Sequence, residues 1–168
     1  MEIGYWNINR YTREKSNAIE DVAKGLDILC LAETKTENLQ ILNEELTIPD
    51  DLNIEPTTTT TNGDLRHRSG GLAVIVRKGK TATLISKTDI TITVKFQRFW
   101  YVFVYLKPTC NDDDWETLNQ ELLEASKISN GRYFVLGDFN TRIGQRDDLE
   151  DIDGYQGYQG IKVSRYQG

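Results

Sequence analysis

Cysteine is scarce in this 168-residue chain, which has two. That count points to a reducing, intracellular setting, nuclear or cytoplasmic. Cys30 lies inside an apolar run and reads as packing, while Cys110 lies in a polar loop with no metal partner nearby. Histidine occurs once, at His67 in Leu65-Arg66-His67-Arg68-Ser69. That stretch reads either as a phosphate contact or as a solvated basic loop. Long apolar runs are missing, and Met1-Glu2 opens without a signal-peptide pattern, so no membrane partner is expected. Positive charge is in deficit: 20 Lys and Arg face 26 Asp and Glu, a net charge of -6. A protein that simply coats nucleic acid would be basic. An enzyme whose carboxylates hold a divalent cation is still allowed, because the ion reverses the local field.

What is present is a length and an apolar content of 38%, enough for one soluble domain with a core. The chain organises around Gly137-Asp138-Phe139-Asn140, which follows the apolar run Tyr133-Phe134-Val135-Leu136. That run predicts a buried strand. In extended backbone Asp138 and Asn140 face one side and Phe139 the other. Two convergent polar groups beyond a strand's carboxyl end are where open α/β sheets bind ligands. The same four residues also read as a plain turn, with Asp138 and Asn140 bonded to local backbone.

Glu2 to Asn9 predicts a first strand, with Tyr5, Asn7 and Asn9 on one face. A helix opens at Tyr11-Thr12-Arg13-Glu14 and carries Ala18, Ile19, Val22, Ala23 and Leu26 at helical spacing, with Gly25 as its stop. Asp27 to Thr34 is strand-like again. Strand, helix, strand implies parallel pairing with a right-handed crossover. Asn7 and Glu33 then sit at the carboxyl ends of neighbouring strands and approach each other, although 26 residues apart.

A second helix is expected over Glu37 to Leu46, then a short strand at Leu52 to Pro56 and an exposed loop through Thr57 to Asp64. Gly70-Gly71 opens the apolar run Leu72 to Val76. Thr81 to Ser86 and Ile90 to Phe96 alternate apolar and polar residues, which predicts antiparallel strands with one wet face. Phe99 to Leu106 reads as a central strand, with Tyr105 near its end as a site residue or one more core aromatic. Asn111-Asp112-Asp113-Asp114 lacks the spaced glycine and glutamate of a calcium loop and reads as a helix cap. The helix after it carries Trp115, Leu118, Leu122, Ala125 and Ile128 and ends at Asn130-Gly131. The acidic run 147–153 follows, then three Tyr-Gln-Gly units. Residues 1–154 therefore form the domain, and 155–168 a loop or loosely held tail. Its tyrosines could stack on bases.

Four separated pieces share one pattern: Trp6-Asn7-Ile8-Asn9, Ala32-Glu33-Thr34, Val104-Tyr105-Leu106-Lys107-Pro108 and Gly137-Asp138-Phe139-Asn140. In order and context they resemble the endonuclease/exonuclease/phosphatase superfamily, the fold of deoxyribonuclease I and the abasic-site endonucleases. The phrase from Leu136 to Gly144 looks most like the endonuclease domain of non-long-terminal-repeat (LINE-type) retrotransposon polyproteins, which are associated with reverse transcriptase. The resemblance implies a DNase I-like α/β sandwich of mixed sheets flanked by helices. It implies a DNA-nicking hydrolase dependent on magnesium, or manganese in its stead. It also implies roles. Glu33 corresponds to the metal-binding glutamate, and Asn7 to the asparagine that supports the same metal site. Tyr105 corresponds to the tyrosine that contacts the scissile phosphate. Asp138 corresponds to the aspartate that orients or activates water, and Asn140 to the asparagine that holds the phosphate.

One departure stands beside the resemblance. Family members carry a further aspartate and a Ser-Asp-His type motif downstream, whereas this chain stops 28 residues after Asn140 without one. The second sheet is therefore expected to be incomplete, with exposed apolar surface and strand edges. It would be completed by a C-terminal remainder of the same polyprotein or by self-association. Three functions follow: a magnesium-dependent endonuclease, a non-catalytic remnant that binds nucleic acid or protein, and a phosphatase of the same superfamily. Arg66, Arg68, Lys107, Arg142 and Arg146 offer the only local positive edge for DNA.

Overall fold

The computed structural model describes residues 1–35, 52–56, 70–77, 80–140 and 162–165, with 52–56 and 162–165 described by their strand pairing alone. The expected helix at 37–46, His67 with Arg66 and Arg68, Arg142, Arg146, the acidic run and the Tyr-Gln-Gly units lie outside the described residues.

Two mixed sheets face each other. In the first, β1 (Glu2–Asn7) pairs parallel with β2 (Ile28–Ala32), and Asn7 lies level with Ala32. β4 (Leu72–Arg77) runs antiparallel to β2, and β3 (Leu52–Pro56) runs antiparallel to β4. β9 (Lys162–Arg165) pairs antiparallel with the other edge of β1. Within the stretch 155–168, residues 162–165 thus form a strand: they have no apolar periodicity, but a ladder on an open edge needs only backbone groups. In the second sheet β5 (Ala82–Lys87), β6 (Thr91–Phe96) and β7 (Phe99–Tyr105) are antiparallel neighbours, and β8 (Tyr133–Asp138) pairs parallel with β7.

The strands' period of two builds the layers. Ile28, Cys30 and Ala32 of β2 face the other sheet, where Ile92, Val94, Phe96, Tyr101 and Phe103 meet them. Leu29 and Leu31 face the opposite way, onto Ile19, Ala23 and Leu26 of the segment around α1 (Ser16–Lys24). The buried Cys30 thiol is a packing group, as its neighbours in sequence predict. On the outer face of the second sheet, Val102 and Val104 meet Leu118 and Ala125 of α2 (Asp112–Ser129). Each fully buried Leu, Ile or Phe contributes about 1.5–3 kcal/mol by leaving water. The triple aspartate does cap this helix: Asn111 Oδ1 accepts from the Asp114 amide at 2.9 Å, and Asp114 answers to the Asn111 amide at 3.2 Å.

One expectation fails at β6. Its hydroxyl face is not wet: Thr91 and Thr93 are fully buried. Thr93 donates to Glu121 of α2 at 3.4 Å, and Thr91 pairs with Thr88 at 2.8 Å. A hydroxyl can be buried when a partner shares its hydrogen bond, so alternation with threonine did not mark solvent here. β8 is the edge of the second sheet among the described residues, and Phe134 and Val135 on it are 42% and 37% exposed. That matches the expectation of a second sheet that is incomplete. Among the described residues no helix is long and apolar enough to cross a membrane.

Candidate active site

The carboxyl ends of β1, β2, β7 and β8 come to one end of the sandwich. Tyr5 faces the inter-sheet core, so Asn7, two residues on, emerges on the same side. Tyr105 ends the inward row Tyr101, Phe103, Tyr105 on β7. Asp138 lies level with Tyr105 on β8.

Glu33 reaches this place differently. By strand alternation it would follow Leu31 to the α1 face, because Ala32 faces the core. Instead its backbone turns left-handed, with φ 54°. That breaks the alternation and brings the carboxylate back to the seam between the sheets. Five of the seven described non-glycine residues with positive φ lie at this end: Asn9, Arg10, Glu33, Lys35 and Asn140. Such conformations cost about 1–3 kcal/mol each and persist where surroundings over-determine them. Here the loops after β1 and β2 are laced together: the amides of Ile8, Arg10 and Tyr11 donate to the carbonyls of Ala32, Glu33 and Thr34 at 3.0, 2.6 and 2.9 Å. Thr34 and Lys35 donate in turn to Gly71 and Gly70 at 3.2 and 3.1 Å. Those two glycines have φ of 89° and 86°, a region in which side chains are strained.

The side chains form one connected chain across the two sheets. Asn7 Nδ2 donates to Glu33 Oε1 at 3.1 Å and to Asp138 Oδ2 at 3.0 Å. The Tyr105 hydroxyl donates to Glu33 Oε1 at 2.7 Å. Asp138 Oδ1 accepts from the Asn140 amide at 3.1 Å, so both of its oxygens are held. Asn140 Nδ2 donates to the Leu106 carbonyl at 2.7 Å. Asn140 is thus next to Asp138, but its side chain is partly engaged with backbone, as the turn reading requires. Site and turn are both present in the same four residues. Phe139 packs the other way, against the cluster of Val104, Leu106 and Leu118.

Two residues were not marked by sequence reasoning. Lys35 Nζ lies 2.9 Å from Glu33 Oε2 and also donates to Asn9 Oδ1 at 2.8 Å. Its position two residues after Glu33 was the available signal. Lys15 Nζ donates to the carbonyls of Ile8, Asn9 and Arg10 at 2.5, 3.3 and 3.1 Å, holding the loop that precedes it.

Charge follows from these contacts. Burial alone would raise the Glu33 carboxyl, but Lys35, Tyr105 and Asn7 outweigh it and hold the group below the ordinary carboxylate range. Burial, then the bond to Glu33, pushes the Tyr105 hydroxyl well above its ordinary range, so it is a neutral donor at any physiological pH. No group of three or more His, Cys, Asp or Glu side chains is placed to hold a metal among the described residues. The donor chemistry fits magnesium nonetheless. That ion takes one or two carboxylates and keeps several waters. Glu33 Oε2 already carries a cation, the Lys35 ammonium. Asn7 meets Glu33 through its amide nitrogen, which orients the carboxylate.

Comparison with known proteins adds the following. A model of the "Endonuclease/Exonuclease/phosphatase family" matches residues 4–154. Among solved structures, a 3′-5′ exonuclease (NExo) from Neisseria meningitidis is 18% identical, with a TM-score of 0.56, covering 83% of this chain and 58% of its own. The endonuclease domain of TRAS1, a telomere-specific non-LTR retrotransposon, is 14% identical, with a TM-score of 0.57, over 84% of this chain and 59% of its own. An AP endonuclease from Archaeoglobus fulgidus is 17% identical, with a TM-score of 0.57, over 83% of this chain and 57% of its own. The chain thus spans less than two thirds of the length of each. No curated protein sequence matches it.

Proposed function

Since this chain belongs to the endonuclease/exonuclease/phosphatase family, we propose that its site hydrolyses phosphodiester bonds with magnesium and nicks DNA for a retrotransposon-type protein. Its mixed sheets flanked by helices are the deoxyribonuclease I-like sandwich. The observation that carries the reading is the single amide of Asn7 bonded to two carboxylates, Glu33 and Asp138, from opposite sheets. Carboxylates held together in this way suit a reaction in which one holds a cation and the other handles a proton.

Glu33 would hold the ion, with Asn7 fixing the carboxylate's direction. When bound, magnesium supplies positive charge to the phosphate and the leaving oxygen. The remaining roles belong to side chains of this chain. Asp138 is oriented by Asn7 and by the Asn140 amide, and its free lone pairs accept the proton of an attacking water. The water oxygen forms a bond to phosphorus as the bond to the leaving sugar oxygen breaks. Tyr105 presents a neutral hydroxyl, which can pass from Glu33 to a phosphate oxygen. An asparagine amide has two hydrogens. One of Asn140's goes to Leu106, and the second is the donor for the charge that develops on phosphate.

Supercoiled plasmid with increasing magnesium tests this. Nicked circles that form with magnesium, and not with EDTA, are expected. An excess of inositol phosphates is expected not to compete, which separates DNA nicking from a phosphatase of the same family. A non-catalytic binding module would shift the plasmid in a gel without nicking it.

A further inference from the structure

Tyr5 belongs to the first sheet, yet its hydroxyl is bonded in the second. The ring is buried in the inter-sheet core. The hydroxyl donates to the Val104 carbonyl at 2.8 Å and accepts from the Asp138 amide at 3.1 Å. Val104 lies level with Gly137, and Tyr105 with Asp138, so these two groups belong to adjoining positions of β7 and β8. The strands are pressed together just before that point: a Cβ on Gly137 would collide with the Val104 carbonyl oxygen and come within 2.8 Å of the Val104 Cβ. Just beyond it, the Leu106 amide donates to the Asp138 carbonyl at 2.9 Å. The backbone of Asp138 is therefore fixed on both sides, and on the amide side Tyr5 fixes it.

Asn7, two residues along the same strand, holds Oδ2 of the same aspartate. One face of β1 thus grips Asp138 at two points, by its amide through Tyr5 and by its carboxylate through Asn7. Burial keeps the Tyr5 hydroxyl protonated, so it can donate and accept at once.

We propose that Tyr5 is a positioning residue, whose hydroxyl sets where Asp138 stands relative to the Asn7–Glu33 pair of the other sheet. The role rests on Asp138 receiving the proton of the attacking water. A tyrosine that served only as core packing would add stability and leave the rate alone.

Tyr5→Phe keeps the ring and removes the hydroxyl. Tyr101→Phe is the control: its hydroxyl leaves β7 in the opposite direction and donates to Met1 Sδ at 3.2 Å, while Tyr101 itself lies four residues from Tyr105, about 13 Å along the strand. The expected result is that Tyr5→Phe slows nicking at saturating plasmid about tenfold, with the half-saturating plasmid concentration changed less than about twofold. Tyr101→Phe leaves both unchanged. In an Asp138→Ala background, Tyr5→Phe causes no further loss, because it acts through the side chain already removed. A second readout needs no activity. In 15N-labelled protein the Asp138 amide resonance shifts in Tyr5→Phe, and its hydrogen exchange speeds up about tenfold or more. A wild-type rate, a further loss in the Asp138→Ala background, or an unaltered Asp138 amide each overturns the proposal. Absence of any Asp138-dependent nicking in the wild type instead overturns the hydrolytic reading, and the amide measurement alone then decides for or against Tyr5.

Discussion

Asn7 is the residue on which the site turns, because its one amide nitrogen serves carboxylates from both sheets. That meeting was half legible in the sequence. Asn7 and Glu33 had to end neighbouring parallel strands, and the register of Asn7 against Ala32 bears this out. The left-handed turn at Glu33 was not legible, since nothing in Glu33-Thr34-Lys35 calls for positive φ in the way a glycine would. Nor was the Tyr5 hydroxyl, because an inward tyrosine reads as core until its partner strand is known. The tyrosines carry a prediction of their own. Tyr5 and Tyr105 are held protonated in the fold, above all by burial, and burial pushes Tyr101 up to about 12. In the unfolded chain the same hydroxyls release protons near pH 10. Their contribution is therefore complete below about pH 10 and declines as pH rises from there toward the folded-state values. A spectrophotometric titration should show these three tyrosines titrating late, with stability to urea falling above about pH 10. All eight tyrosines titrating together near pH 10 in a still-folded protein would contradict the burial described.

At the scale of elements, apolar runs and helical spacing told most of the story. β1, β2, β4 and β7 follow from apolar runs, and α2 follows from its cap and its spacing. β6 departed because its buried threonines have partners, Glu121 of α2 for Thr93 and Thr88 for Thr91. β9 departed because backbone pairing on an edge leaves no mark in composition. The β7–β8 pair was foreseen as two strands but not as neighbours pressed together at Gly137. That closeness gives the element-scale prediction. Gly137→Ala places a methyl against the Val104 carbonyl and Cβ, which are backbone and branched carbon that cannot swing aside. Overpacking of this kind costs about 1–3 kcal/mol. In a chain of this size each kcal/mol lowers Tm by about 2–4 °C. Calorimetry should record that drop, and nicking should fall with it as Asp138 is moved. An unchanged Tm would mean that β7 and β8 are not so close.

For the molecule as a whole, the site is a seam. Glu33 and Asn7 arrive on one sheet, Tyr105 and Asp138 on the other, and the buried residues between the sheets hold them in reach. A net charge of -6 gives such a protein no general attraction for DNA. On the proposed reading, binding to DNA would come from local groups and from a cation held at Glu33. The family and the sandwich could be named from four short motifs because each motif ends a strand at the same end of the fold. What joins them, namely Lys35, Lys15 and the laced loops, depends on contacts between distant segments that no local pattern encodes. The most direct test of the account is the conversion of supercoiled plasmid to nicked circle by the purified protein beside its Asp138→Ala variant, each with magnesium and with EDTA. Nicking by the wild type that needs magnesium and falls at least about a hundredfold in Asp138→Ala is the predicted result. Equal nicking by the two proteins, or none by either, would contradict it.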